Sequence, residues 1–322
     1  MHIPDGFLDT KTAVAAAALA AAGMGLALRQ ARAHLPPRRV PLLGLAAAFV
    51  FAAQMINFPV AGGTSGHLIG AVLAAVLLGP SAAVIVISAV LIVQCLMFAD
   101  GGISALGANI FNMAVLGGVG GWAIYHLVRR AVKGLFGLVL AAAFAAWFST
   151  VIASVACAGE LAASHTVRFS VALPAMVGIH MLIGIGEALI TALVVVAIAH
   201  ARPELLQPDE ATEPRRSYGA VVAYGGLIAL GLALFVSPLA SRWPDGLDKT
   251  AEVLGFKDKT AAPVFPAPIP DYEIPGIHWS TLGTASAGAV GTIVVFVLAW
   301  LLARVLVPKT RPENTAGPPA GR

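Results

Sequence analysis

The chain has 322 residues, of which 58% are hydrophobic and only 11% are charged. Soluble domains carry about 25% charged residues, so this composition predicts an all-α polytopic membrane protein and excludes a single soluble domain. The net charge of +4 does not indicate a nucleic-acid-binding protein, because the basic residues lie mostly between apolar runs, where they set membrane orientation.

The N-terminal stretch, MHIPDGFLDT, has no Lys or Arg ahead of the first apolar run. A cleaved signal peptide has a basic segment at this place, so we expect the first run to be retained as a helix. Along the chain, apolar runs predict nine membrane-spanning helices. Their approximate bounds are 12–28, 40–58, 67–79, 81–98, 107–127, 135–157, 172–200, 218–239 and 284–307.

Two of these predicted spans, the third and the fourth, are short and are separated by Gly79-Pro80. Short segments interrupted by glycine can form irregular backbone that lines a cavity. Most Lys and Arg residues fall between spans one and two, five and six, seven and eight, and after span nine. The positive-inside rule therefore predicts an outer N-terminus and an inner C-terminus in the bacterial cytoplasmic membrane.

The pattern divides the chain into two units. Residues 1–200 form a predicted seven-helix unit, and 201–217, ARPELLQPDEATEPRRS, is typical of a cytoplasmic linker. Residues 218–307 form two predicted helices that flank an outer loop, 240–283, whose proline-rich part is expected to be extended. The polar tail 308–322 is expected to be disordered.

His2 lies directly beside the α-amino group of Met1. The amine of Met1, the amide nitrogen of His2 and the Nδ1 atom of its imidazole can close adjacent chelate rings around one metal ion. Three nitrogens in a plane leave a fourth corner open, which a second histidine could fill. Square-planar nitrogen geometry selects Ni(II) or Cu(II).

Two histidines lie in membrane-embedded motifs and could supply the fourth nitrogen. His67 is in AGGTSGHLIGA, and His180 is in GIHMLIGIGEALIT, on the same predicted helix as Glu187. Ionisable residues inside a membrane indicate functional sites by default. The side chains that could line the site or an ion pathway are Asp5, Ser65, Asp100, Asn109, His180 and Glu187.

At these motifs the sequence resembles a family. MHIPDGFLD, GGTSGHLIGA, MFADGGISALGANIFNM and IGIGEALIT are similar to the NikM/CbiM substrate-binding components of energy-coupling-factor transporters for nickel and cobalt. The resemblance covers residues 1–200. It implies a metal bound by the Met1 amine, the His2 amide and imidazole, and the His67 imidazole, in an N-terminal segment that enters the bundle from outside.

Residues 218–307, with SPLASRWPDGLDKTAE, resemble the two-helix NikN/CbiN partner, the PDGLE component, although Asp248 stands where Glu is more usual. No GxxxxGK[ST] loop occurs, so the chain is expected not to be an ATPase itself. The resemblance implies two kinds of partner besides the lipid bilayer: a transmembrane coupling component and separate ATP-binding cassette subunits. It implies no permanently bound cofactor, with Ni²⁺, slightly favoured, or Co²⁺ as the transported substrate.

Two alternatives use the same residues. The stretch 63–66, GTSG, matches the GxSG motif of rhomboid-type intramembrane serine proteases, with His180 as the base. A secondary cation transporter or a channel would also use intramembrane polar residues. Dependence on ATP separates the last class from an energy-coupling-factor importer.

Overall fold

The computed structural model describes residues 1–206, 218–264 and 266–307, so most of the predicted linker and the whole predicted tail lie outside the described residues. The fold is almost entirely helical, as predicted. The helices are α1 Thr10–His34, α2 Val40–Gln54, α3 Ala71–Leu78, α4 Pro80–Phe98, α5 Leu106–Asn109, α6 Gly121–Ala131, α7 Gly134–Ala163, α8 Phe169–Ala201, α9 Gly219–Gly231, α10 Gly246–Leu254 and α11 Ser280–Leu306. A π-helical stretch, Ile110–Gly120, joins α5 to α6 without a break.

Within the described residues, seven helices are long and apolar enough to cross a membrane: α1, α4, Leu106–Ala131, α7, α8, Gly219–Leu239 and α11. The nine predicted spans are therefore wrong in part. Helix α2 has 15 residues and α3 has eight. At 1.5 Å per residue, α3 rises only about 12 Å, against a hydrocarbon core of about 30 Å. The predicted third span cannot cross the bilayer as a helix.

A short hairpin occupies the chain ahead of α3. Strands β1, Phe58–Val60, and β2, Thr64–Gly66, pair antiparallel, with Phe58 opposite Gly66 and Val60 opposite Thr64. Both Gly62 and Gly63 have positive φ angles, which L-residues other than glycine rarely adopt, so they permit the tight turn. The hairpin, which the sequence analysis did not predict, leads directly into His67.

The long helices sort into interior and peripheral positions. Helix α4 is buried along most of its length, and α7 and α8 pack along each other as a hairpin. Large apolar side chains are exposed on the outside of the bundle, for example Leu193 at 69%, Phe235 at 76% and Val305 at 84%. In water such a surface would promote aggregation, whereas in a bilayer it contacts lipid tails. The protein is therefore a multi-pass membrane protein.

The N-terminal segment is buried inside the bundle rather than lying on its surface. Met1 is 5% exposed, and Ile3 and Phe7 are fully buried. The chain turns at Asp5-Gly6, where Gly6 has a φ of 92°. The turn directs the first residues into the helical bundle.

The second unit packs against the first through its two long helices. Helices α9 and α11 both lie against α2, and α10 contacts α8 and β2. Asp245 caps α10, because its Oδ1 accepts from the amides of Leu247 and Asp248, each at 2.8 Å. The segment 240–283 is thus partly helical and lies on the first unit.

Candidate metal centre

The first residues are fixed by hydrogen bonds from the stretch that follows α4. The amide of Ile3 donates to Asn109 Oδ1 at 2.8 Å, and Asn109 Nδ2 returns a bond to the Ile3 carbonyl at 3.1 Å. The Asp5 carboxylate accepts from the amide of Ser104 at 2.8 Å and from its hydroxyl at 2.6 Å. Asp5 and Asn109 therefore hold the N-terminal segment in place.

Gly102 lets the two segments come close. A methyl group at this position would lie 2.2 Å from the Asp5 backbone nitrogen and 2.7 Å from its Cα. The Gly102 amide donates to the Ile3 carbonyl at 2.9 Å. No larger residue fits here unless the N-terminal segment moves.

A Gly102→Ala variant tests the expectation, drawn from the sequence, that the first residues bind a metal ion. With nickel as the probe, its affinity is expected to fall by about tenfold or more, because overpacking at a contact this close costs about 1–3 kcal/mol. Gly159→Ala, where a methyl group meets nothing within 4 Å, is the matched control. Titration of the purified, metal-stripped full-length variants with nickel measures the effect. Equal affinity in the two variants would show that the position of the first residues does not matter to the site.

The amine of Met1 contacts two residues from distant parts of the chain. It lies 3.1 Å from His67 Nε2 and 2.6 Å from Asp245 Oδ2. The other ring nitrogen of His67, Nδ1, lies 3.0 Å from the Leu68 carbonyl. A carbonyl only accepts, so Nδ1 carries the proton and the Nε2 lone pair faces the amine. His67 therefore presents a nitrogen in the form that binds metal.

The ring of His2 stacks on that of His67, with centroids 5.1 Å apart and planes 22° from parallel. Its Nδ1 lies 3.1 Å from Asp100 Oδ1, and its Nε2 lies 3.2 Å from Gln94 Oε1. One possible ligand atom from each of His2, His67 and Asp245 lies within 4.8 Å of the others. These atoms are close enough together to surround one ion.

Burial of this cluster favours the neutral form of both imidazole rings. Burial, followed by the charged amine and by His2, lowers the pKa of His67 to about 3. Burial also lowers the pKa of His2, although Asp100 opposes it. Burial disfavours ionisation of Asp245, but the charged amine of Met1 and its hydrogen bond outweigh this effect and hold the pKa of the carboxyl well below its usual range. At neutral pH the two imidazoles are therefore unprotonated bases beside an ion pair.

A cavity of about 10 Å³, room for about one ion or water molecule, lies beside Met1 and His67. His180 lines it together with Thr150 and Asp245. The Nδ1 atom of His180 bonds the Met176 carbonyl at 2.7 Å, and its buried Nε2 has no hydrogen-bond partner among the described residues. From the sequence, both His67 and His180 were candidates for the histidine that supplies the fourth nitrogen. In the structure it is His67 that contacts the Met1 amine.

Glu187 acts on the loop that carries His67. Its two carboxylate oxygens accept from the amides of Ile69 at 2.5 Å and Gly70 at 2.9 Å. It therefore fixes the backbone just after His67 without itself reaching the amine.

A serine protease would require a hydrogen bond between the serine and the histidine, but among the described residues Ser65 makes none to His180. Its hydroxyl donates to the Trp243 carbonyl at 2.7 Å, and its amide donates to the Pro244 carbonyl at 2.8 Å. Ser65 thus joins β2 to the segment that leads into Asp245, and the protease alternative lacks its nucleophile–base contact.

Sequence reasoning missed Asp245, Gln54 and Gln94. Asp245 lies in the outer loop 240–283 and contacts the Met1 amine, a contact that no motif predicted. The Pro-Asp-Gly motif was visible in the sequence, but its partner 244 positions away was not. The two glutamines are isolated polar residues in apolar runs, and such residues deserve the same scrutiny as intramembrane charges.

Comparisons with known proteins identify the family of each unit. The family described as "Cobalt uptake substrate-specific transmembrane region" matches residues 2–205, and the PDGLE domain matches residues 219–308. NikMN of Archaeoglobus fulgidus is 37% identical over 94% of this chain and 98% of its own length. The fused nickel transport protein NikMN of Rhodobacter capsulatus is 33% identical over 92% of this chain and 95% of its own.

A solved structure also matches. The crystal structure of a transition metal transporter is 33% identical, covers 66% of this chain and 100% of its own, and superimposes with a TM-score of 0.58. The chain therefore belongs to the CbiM family of cobalt uptake substrate-specific transmembrane proteins, joined in one polypeptide to a PDGLE domain, and is a membrane component of nickel or cobalt transport.

Proposed function

We propose that the chain is the substrate-specific component of an ATP-driven importer of the energy-coupling-factor class, and that it binds one divalent ion through four nitrogens. These are the Met1 amine, the His2 amide, His2 Nδ1 and His67 Nε2. The observation that carries the proposal is the 3.1 Å contact between the Met1 amine and His67 Nε2, beside the stacked ring of His2.

The chemistry of this ligand set favours Ni²⁺. A chelating amine and amide with two imidazoles suit a square-planar ion, and Ni(II) and Cu(II) prefer that geometry. The amide binds only after losing its proton, which requires an ion with high affinity for nitrogen. Co²⁺ remains the second candidate substrate, and selection against copper depends on availability, because copper binds such nitrogen donors more tightly than nickel.

Asp245 pairs with the amine while no metal is bound. An ammonium group has no lone pair, so loading must remove one of its protons and thereby end the ion pair with Asp245, whose contact with the amine is 2.6 Å. The second unit therefore responds to loading of the first. Its role in this proposal is to control access and loading rather than to supply a nitrogen ligand.

The proposed orientation places the N-terminus outside and the C-terminus inside the cytoplasmic membrane, as the distribution of basic residues favours. The sequence contains no phosphate-binding loop, so ATP hydrolysis belongs to separate subunits, which act through a transmembrane coupling protein.

Uptake of nickel and cobalt, measured in parallel, tests the function. Cells that express the chain with its coupling and ATPase subunits are expected to accumulate nickel in preference to cobalt. Inactivation of the ATPase should remove this uptake. Uptake that survives without ATP and follows an ion gradient would instead identify a secondary transporter or a channel.

A further inference from the structure

A buried row of hydrogen bonds runs from His2 to the loop that carries His67. His2 Nε2 lies 3.2 Å from Gln94 Oε1, Gln94 Nε2 donates to Gln54 Oε1 at 2.8 Å, and Gln54 Nε2 donates to the Ile69 carbonyl at 2.8 Å. Gln54 is 4% exposed and Gln94 is fully buried. Unpaired polar atoms are costly at such positions, so each amide must keep its partners.

The Ile69 carbonyl, at the end of the row away from His2, fixes which group of each glutamine amide faces which neighbour. The Ile69 carbonyl can only accept, so the Gln54 group facing it must be the NH₂ group, and its oxygen must face Gln94. That oxygen in turn requires the NH₂ group of Gln94. The Gln94 oxygen is then left to face His2, and it can only accept. His2 Nε2 must therefore be the donor.

A neutral imidazole carries one proton, so a proton on Nε2 leaves Nδ1 with a free lone pair. Nδ1 is the nitrogen that can close a chelate ring with the amide and amine of the first two residues. We propose that Gln54 and Gln94 are positioning residues, a one-way hydrogen-bond relay that keeps the proton of His2 on Nε2 and leaves Nδ1 to the metal. This inference rests on the metal site proposed above.

Asp100 makes the relay necessary. Its Oδ1 lies 3.1 Å from Nδ1 of His2, while its Oδ2 accepts from the hydroxyl of Tyr272 at 2.6 Å. Without Gln94, a neutral His2 would put its single proton on Nδ1, facing the carboxylate. In that tautomer a proton occupies Nδ1, the proposed ligand atom, so a metal ion would have to displace this proton.

The relay also links the two histidines. Ile69 follows His67 by two residues, and its amide bonds Glu187 while its carbonyl bonds Gln54. A shift of the loop that carries His67 would therefore move Gln54 and Gln94, and with them the oxygen that faces His2 Nε2.

The protonation of His2 Nε2 tests the relay directly. Nitrogen NMR of the metal-free full-length protein, labelled at histidine, distinguishes protonated from unprotonated ring nitrogens, and a His2→Asn variant assigns the signal. In the unsubstituted protein Nε2 is expected to be protonated, and in Gln94→Leu it should lose its proton to Nδ1. An unprotonated Nε2 in the unsubstituted protein overturns the relay.

Metal affinity gives a second measurement, with nickel alone as the probe. Gln54→Leu and Gln94→Leu are each expected to weaken nickel binding by about 10- to 100-fold, the usual effect of losing a group that orients a ligand. Gln30→Leu is the matched control, because Gln30 accepts a bond from Ser81 at the exposed end of α1 and does not contact the site. Thermal unfolding checks that all three variants fold.

A His67→Ala arm separates failure of the relay from failure of the metal site. Nickel affinity that is lowered in His67→Ala but unchanged in folded Gln54→Leu and Gln94→Leu means that the relay is wrong and the site is right. Nickel affinity that is unchanged in His67→Ala means that the site itself lies elsewhere.

Discussion

Metal uptake is expected to be abolished by His67→Ala and, separately, by one extra residue ahead of Met1. The alanine variant removes the nitrogen that lies 3.1 Å from the amine, and a water molecule would complete a weaker site. The extension moves the imidazole to position 3, where the amine, two amides and Nδ1 can fill a plane without His67. Metal could then bind the tail, but it would no longer join the tail to the loop ahead of α3.

Uptake assays on the full-length protein with its coupling subunits measure both effects. The matched control is His200→Ala, because His200 lies at the exposed end of α8 and bonds the Val196 carbonyl of its own helix. Acetylation of the amine should reproduce the effect of the extension. If nickel uptake continues at the normal rate both in the protein with an acetylated Met1 amine and in His67→Ala, the four-nitrogen centre does not exist.

Deleting residues 218–322 is expected to reduce uptake by about tenfold or more while nickel stays bound to the remaining protein. All four proposed nitrogens belong to the first unit, whereas the deleted part supplies Asp245 and the helices that cover α2. Metal content of the purified truncated protein and uptake by cells are the two measurements. Loss of bound nickel would mean that the second unit supplies ligands.

A single substitution separates the charge of Asp245 from the rest of the second unit. Asparagine caps a helix about as well as aspartate, so Asp245→Asn keeps the start of α10 and removes only the charge that holds the ammonium form of Met1. The equilibrium affinity for nickel at neutral pH should then rise, because the competing proton is bound less tightly. An unchanged affinity would show that the ion pair does not compete with metal.

The long helices and the chemistry of the first residues could be predicted because both depend on local pattern. Twenty apolar residues have few alternatives in a membrane, and an amine beside His2 is a chelator in any fold. The hairpin at 58–66 could not be predicted, because periodicity does not separate a short strand from a short buried helix. The span predicted over 67–79 was longer than helix α3, Ala71–Leu78, for the same reason.

The contacts of Asp245 and Gln94 could not be predicted from the sequence, for a different reason. Each depends on which helices become neighbours, and polarity alone gives no partner. Asp245 belongs to a segment whose Pro-Asp-Gly motif fits an ordinary helix cap, a role that it also performs. Gln94 lies in the apolar helix α4, where a lone glutamine gives no sign that it faces His2.

The ion pair between Met1 and Asp245 has a consequence for biosynthesis. It joins residues 244 positions apart, so Met1 lacks this partner until about three quarters of the 322 residues have been made. Because domains fold largely in the order of synthesis, the first unit is inserted and packed while its terminal ammonium group still lacks this counter-charge. The contact between Met1 and Asp245 is thus a late step of assembly. A chain that ends before α10 would leave the Met1 amine and His2 in the membrane without Asp245.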